Sequence, residues 1–233
     1  MRRDIIVTAL CLLALVLTVQ AHAEVRVLTD RHGTYKMTRV ILDGRTGRVW
    51  SPLRRGDTAT VLNVAGDRNG DLYPTVGETP VEPFYPWVVW SRYNQDQYDL
   101  AWSRWDNGVW EPIRWVDPMA EPELGDSLDA DLTFDDVGRP YVVWWRNEGS
   151  GGRVYLSIFL ANSWMRSFPV SDIGVDGRYP TLKVTEPGSM VVRYSTPAGT
   201  VEQTIVFTEP DMITDDINPL DYIHTESISV ISD

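Results

Sequence analysis

The stretch "PWVVWSRYNQDQYDLAWSRWDNGVW", Pro86 to Trp110, carries five of the chain's 10 tryptophans within 25 residues of an otherwise polar, acidic sequence. They form either a ligand platform or a core, and the choice decides the fold. Displaced by 54 residues without a gap, the stretch falls on "PYVVWWRNEGSGGRVYLSIFLANSW". Pro86 then meets Pro140, Val88 and Val89 meet Val142 and Val143, Trp90 meets Trp144, Arg92 meets Arg146, Ser103 meets Ser157 and Trp110 meets Trp164. Such self-similarity is an internal repeat. A more worn third copy, "YPTLKVTEPGSMVVRYSTPAGTVEQTIVF" from Tyr179, parallels "YPTVGETPVEPFYPWVVWS" from Tyr73 and sets Val191-Val192 in the place of Val142-Val143. A partial fourth precedes them: "YKMTRVILDGRTGRVWSP", Tyr35 to Pro52, matches "YDLAWSRWDNGVWEP", Tyr98 to Pro112, with three residues inserted in the turn.

Each copy alternates short β-branched and aromatic runs with Gly, Pro, Asn and Asp, the pattern of strands and turns, and no helical periodicity appears. One copy reads as "YPTV", "PWVVWS", "YDLAWSRW" and "VWEPIRWV", the next as "DADLTF", "PYVVWW", "VYLSIF" and "SWMRSF". Four-stranded units recurring every roughly 40 to 55 residues describe propeller blades, which pack face to face and are apolar on both sides. The expected fold is therefore all-β, a β-propeller of about four four-stranded repeats over residues 24–233. It would be a small four-bladed ring closed by the C-terminal tail, or an open arc completed by dimerisation. Most of Trp87, Trp90, Trp110, Trp144, Trp145 and Trp164 are then expected in the core between blades rather than on a ligand platform.

Over residues 70 to 207 the chain resembles the Asp-box, or BNR-type, blades of the sialidase-like propeller superfamily. Their pattern is Ser-x-Asp-x-Gly-x-x-Trp. "SRWDNGVW" keeps the spacing from Ser103 to Trp110 with Asp106 and Gly108 each one place late, and "SIFLANSW" keeps only Ser157 and Trp164. The resemblance implies a structural turn between outer strands, not a catalytic centre. None of that family's catalytic residues maps onto this chain.

Residues 1–23 read as a secretory signal: Arg2 and Arg3, an apolar run from Ile5 to Val19, and Ala21-His22-Ala23 before Glu24. The run is short of the ~20 residues that span a bilayer. Export implies a periplasmic or secreted protein. Cys11, the only cysteine, falls inside the signal, so the remainder relies on its core rather than on disulfides. The net charge of −12 becomes −13 once Arg2, Arg3 and Asp4 are removed, which argues against nucleic acid and anionic membrane surfaces as partners. The tail 208–233 holds seven acidic residues and no Lys or Arg, and reads as a solvated segment with one strand, "SISVIS".

Chemistry has little to work with. His32 and His224 are the histidines outside the signal, so a His/Cys metal centre and a Ser-His-Asp triad both lack material. "DRNGD" spaces Asp67, Asn69 and Asp71 as calcium ligands would be, but also as an Asx turn would. Asp129 with Asp131, Asp135 with Asp136 and Asp215 with Asp216 are paired carboxylates of the kind glycosidases use, read here as solvated turns. No cofactor is expected. If each unit begins with its innermost strand, the loop leading into it and the loop after the second strand share one mouth. That places Asp71, Asp126 and Asp176, each five or six residues before Val76, Leu132 and Leu182, beside Arg92 and Arg146. These five are the expected ligand-binding residues. The function expected is a non-catalytic module, monomeric or homodimeric, that binds a glycan or peptide. The alternatives are a divergent sialidase-like glycosidase and a structural component of an envelope complex.

Overall fold

The computed structural model describes residues 25–29, 40–42, 58–61, 71–81, 85–106, 109–117, 125–149, 151–208 and 222–231. The expected signal segment, residues 67 to 69, most of the copy at 35–52 and residues 209–221 of the tail lie outside these. Every regular element among the described residues is a strand, and the strands form four antiparallel sheets.

The first sheet has the order β2-β1-β3, with β1 (Val25–Thr29), β2 (Val40–Leu42) and β3 (Thr58–Val61). The second follows the chain: β4 (Asp71–Glu78), β5 (Pro86–Asn94), β6 (Gln97–Asp106) and β7 (Val109–Trp110), with β8 (Arg114–Trp115) also on β6. The third repeats that order with β9 (Ser127–Phe134), β10 (Pro140–Asn147), β11 (Gly152–Leu160) and β12 (Ser163–Trp164), and β13 (Phe168–Pro169) joins β11. The fourth is β14 (Arg178–Glu186), β15 (Ser189–Thr196), β16 (Gly199–Phe207) and β17 (Ile223–Ile231). Three of the sheets thus have the meander that the repeat predicts. The first departs from it, because its earliest strand lies in the middle.

The 54-residue offset holds down to single hydrogen bonds. Glu111 N donates to Arg104 O as Met165 N does to Ile158 O, and Val116 N donates to Leu100 O as Val170 N does to Val154 O. The outer strand, expected to be continuous, is split in two in both units. Ser103 Oγ donates to Glu111 O at 2.7 Å, and Ser157 Oγ donates to Met165 O at 2.7 Å. A buried serine hydroxyl therefore caps the carbonyl where the outer strand leaves the ladder.

Each first strand carries a bulge. Tyr73-Pro74 faces Trp90, Asp129-Ala130 faces Trp144 and Tyr179-Pro180 faces Tyr194, with the register shifting across each. Tyr73, Asp129 and Tyr179 adopt φ of 48°, 54° and 51°. The bulges correct the third copy by one residue. Val192 faces Leu182 as Val142 faces Leu132 and Val88 faces Val76, so Val191 stands in the place of Tyr141. A slip of one residue turns every side chain to the opposite face, and only Val192 of the pair is fully buried.

Trp87, Trp90, Trp102, Trp144, Trp145 and Trp164 are buried, and Trp105, Trp110 and Trp115 partly so. Trp87, Val89, Leu100 and Trp102 of the second sheet meet Trp144, Tyr155, Phe159 and Trp164 of the third, and Trp87 stacks on Trp102 with ring centroids 5.0 Å apart. Trp90 lies on the opposite face with Trp110 and Trp115. A second interface joins Tyr141, Val143, Leu156 and Ile158 to Leu182, Met190, Val192, Tyr194 and Ile205. The central strands β5, β10 and β11 are buried on both faces, whereas β16 alternates between buried and partly exposed positions. The first strands lie side by side, β9 between β4 and β14. At the first of these contacts the Phe134 ring lies over Gly77, where a Cβ would stand 2.5 Å from Cε2, so a side chain there would displace the ring.

Among the described residues the hydrogen-bonded sheets do not close on one another. The tail supplies the missing outer strand of the fourth sheet by pairing with β16, and it is not hydrogen-bonded to a strand of the first sheet among the described residues. Ring closure by the tail is not what the ladder shows.

Candidate functional site

The register brings the start of each first strand beside the end of the second, Asp71 opposite Arg92 and Ser127 opposite Arg146. The five expected residues therefore stand at equivalent ends of their sheets. They are not, however, five equivalents facing one opening. Asp71 occupies the position of Ser127 rather than that of Asp126, because each is the residue paired to the arginine.

Asp71 is fully buried and accepts from Trp90 Nε1 at 2.8 Å and from Arg92 Nη1 at 3.3 Å. Arg146, 3% exposed, donates to Ser127 Oγ at 3.2 Å, reaches Asp117 at 3.7 Å and lies 4.6 Å from the Tyr155 ring centroid. Removed from water, a charge needs such partners, and here the partners are the protein's own.

Asp126 and Asp176 form one device used twice. Tyr98 N donates to Asp126 Oδ1 at 2.9 Å, and Gly152 N donates to Asp176 Oδ1 at 3.1 Å. Tyr98 and Gly152 are separated by the repeat offset, so the loop leading into each sheet latches the β-hairpin of the sheet before it. At the second joint Trp145 Nε1 also donates to Asp176 at 3.3 Å, and Arg178 pairs with it while lying 3.9 Å from the Trp145 ring centroid. The Trp145 indole lies against Gly152, where a Cβ would stand 1.5 Å from Nε1.

Two further carboxylates, Asp129 and Asp131, belong to this region. Asp131 Oδ2 accepts from Leu182 N at 2.8 Å, bridging β9 and β14. Burial pushes its pKa above the ordinary carboxylate value, against the N–H groups of Leu182 and Leu132. Burial also raises Asp129, and Arg178 lowers it in part. In Asp176 burial is outweighed: Arg178, Gly152 N–H and Trp145 hold the carboxyl below its ordinary value. The paired carboxylates Asp129 and Asp131 are thus strand residues rather than a solvated turn. Asp135 does sit at a turn, but a buried one, accepting from Val137 N, Arg139 N and Tyr141 Oη.

Tyr155 Oη donates to Glu148, with Arg153 4.0 Å from the same carboxylate. Burial first, and Glu148 second, raise the phenol's pKa. Among the described residues no three His, Cys, Asp or Glu side chains converge as a metal site would require. Asp67 and Asn69 lie outside the described residues.

No protein-family model matches the chain, and no curated protein matches it. Among solved structures it is similar to one described as "Hadza microbial sialidase Hz136", at 12% identity and a TM-score of 0.39 over 68% of this chain. The chain spans 37% of that protein's length.

Proposed function

We propose that this chain is an exported, non-catalytic binding module whose sheets are propeller blades, and that it takes a glycan or peptide where the first-strand loops gather. The observation that carries this reading is the disposition of charge. Asp71, Arg92, Asp126, Arg146 and Asp176 are engaged inside the fold or across its joints, so they brace the mouth, while exposed tyrosines beside them offer contact surface. A hydrolytic reading could run through Tyr155 and Glu148, a tyrosine–carboxylate pair with Arg146 and Arg153 close by. Tyr155 is 7% exposed, so a substrate has little access to its phenol.

Trp fluorescence of the purified chain, titrated with glycan and peptide panels beside a fluorogenic sialoside assay, tests the reading. A saturable change without turnover is expected. Sialoside hydrolysis that disappears in Glu148→Gln would establish the enzyme instead. The exported species should have the mass of a chain starting at Glu24, and one retaining residues 1–23 in the membrane fraction would count against export.

A further inference from the structure

Tyr73 and Tyr179 are 51% and 70% exposed, although most aromatic rings of these sheets are buried. Both hold a left-handed backbone, as does Asp129. That conformation is disfavoured for a bulky side chain such as tyrosine. Its recurrence at the same bulge of three sheets means that the surrounding ladder imposes it each time. A bulge re-aims the side chain it carries, and the same bulge aims three side chains alike. Because β9 packs between β4 and β14, the bulge that carries Asp129 stands between the bulges that carry Tyr73 and Tyr179.

We propose that Tyr73, Asp129 and Tyr179 form a carbohydrate-binding strip across the first strands, and that its ligand is a neutral oligosaccharide. The inference rests on the binding-module reading above and names the contact residues and the ligand class. The exposed phenol rings stack on the C–H faces of successive sugar rings, the pairing of apolar face and polar edge that suits tyrosine. The Asp129 carboxylate, half withdrawn from water, accepts a sugar hydroxyl between them. An anionic sugar is disfavoured because Asp129 and Asp176 both stand here in a chain of net charge −12, and Arg178, the nearby cation, is already matched by Asp176. A peptide laid along these strands would need free backbone partners, and the gap between β9 and β14 is already bridged by Asp131 and Leu182 N.

The test is calorimetric titration of the mature chain with cellohexaose, xylohexaose and chitohexaose, with sialyllactose and a proline-rich decapeptide as competing classes. At least one neutral hexasaccharide should bind. Tyr73→Asn and Tyr179→Asn, chosen because Asn tolerates the left-handed region, should each weaken it roughly tenfold. The double variant should lose it with the melting temperature not lowered, and Tyr179→Trp should retain it. Undiminished binding by the double variant overturns the strip but leaves a binding module. Preference for sialyllactose or the peptide overturns the neutral-sugar assignment alone. Binding of none of the five overturns both readings.

Discussion

Asp131 shows two opposed forces at one carboxylate. It accepts Leu182 N at 2.8 Å, yet its pKa lies above the ordinary 3.8, so loss of hydration outweighs the hydrogen bonds it receives. A raised folded pKa means that the native state holds the proton more tightly than the unfolded chain does. The stability this group contributes is therefore fully present below the unfolded value and is lost as pH rises through the folded one. Asp176 behaves oppositely: its depressed pKa gives stability that is present above 3.8 and lost as pH falls through the folded value. At pH 7, Asp131→Asn keeps an oxygen for Leu182 N and sheds the charge, so it should unfold in urea at or above the wild-type midpoint. Asp131→Ala should be less stable by about 1–3 kcal/mol. Equal losses in the two variants would show that the charge itself matters. Nothing local in "DADLTF" distinguishes Asp131 from a solvated residue, since its partner lies 51 positions away. Tyr73 and Tyr179, by contrast, share the visible "YPT", but the sequence does not say that this tripeptide is a bulge.

At the scale of elements, the joints between sheets are held by the repeated latch. Tyr98 N to Asp126 and Gly152 N to Asp176 each give a backbone donor at the start of a third strand a carboxylate partner from the next sheet's entering loop. Asp126→Ala should lower stability by about 1–2 kcal/mol. Asp176→Ala should lower it by less, because its side chain is 37% exposed and water can replace part of what is lost. The latches share no partner and sit at different joints, so the double variant should show a near-additive loss. Urea unfolding of the two singles and the double measures this, and a double no worse than Asp126→Ala alone would mean that the second latch bears no load. Strand positions and the 54-residue offset were legible because periodicity is local. The split outer strand was not, since it depends on where Ser103 and Ser157 place their hydroxyls.

For the whole molecule, the composition and the Trp-rich repeat were enough to indicate stacked four-stranded sheets, because sheets buried on both faces need apolar residues at consecutive positions, as in "PWVVW" and "PYVVWW". How the stack ends was not legible, because closure depends on which edge the tail meets and the alternation in "SISVIS" suits any edge. The tail completes the fourth sheet as β17, and past Ile223 it is exposed along its length, with Ile228 and Val230 each 60% exposed. It adds backbone pairing while burying little apolar surface, so its main effect is to cover β16, whose Val201, Ile205 and Phe207 are core residues. An uncovered apolar strand edge templates pairing with another chain. Deleting residues 227–233 should therefore lower the melting temperature by only a few degrees, equivalent to about 1 kcal/mol, while converting a monodisperse species into concentration-dependent oligomers seen by light scattering. A truncated chain that stays monodisperse would show that β16 does not need this cover. A melting temperature that collapses by tens of degrees would show that the tail holds more than the last sheet together.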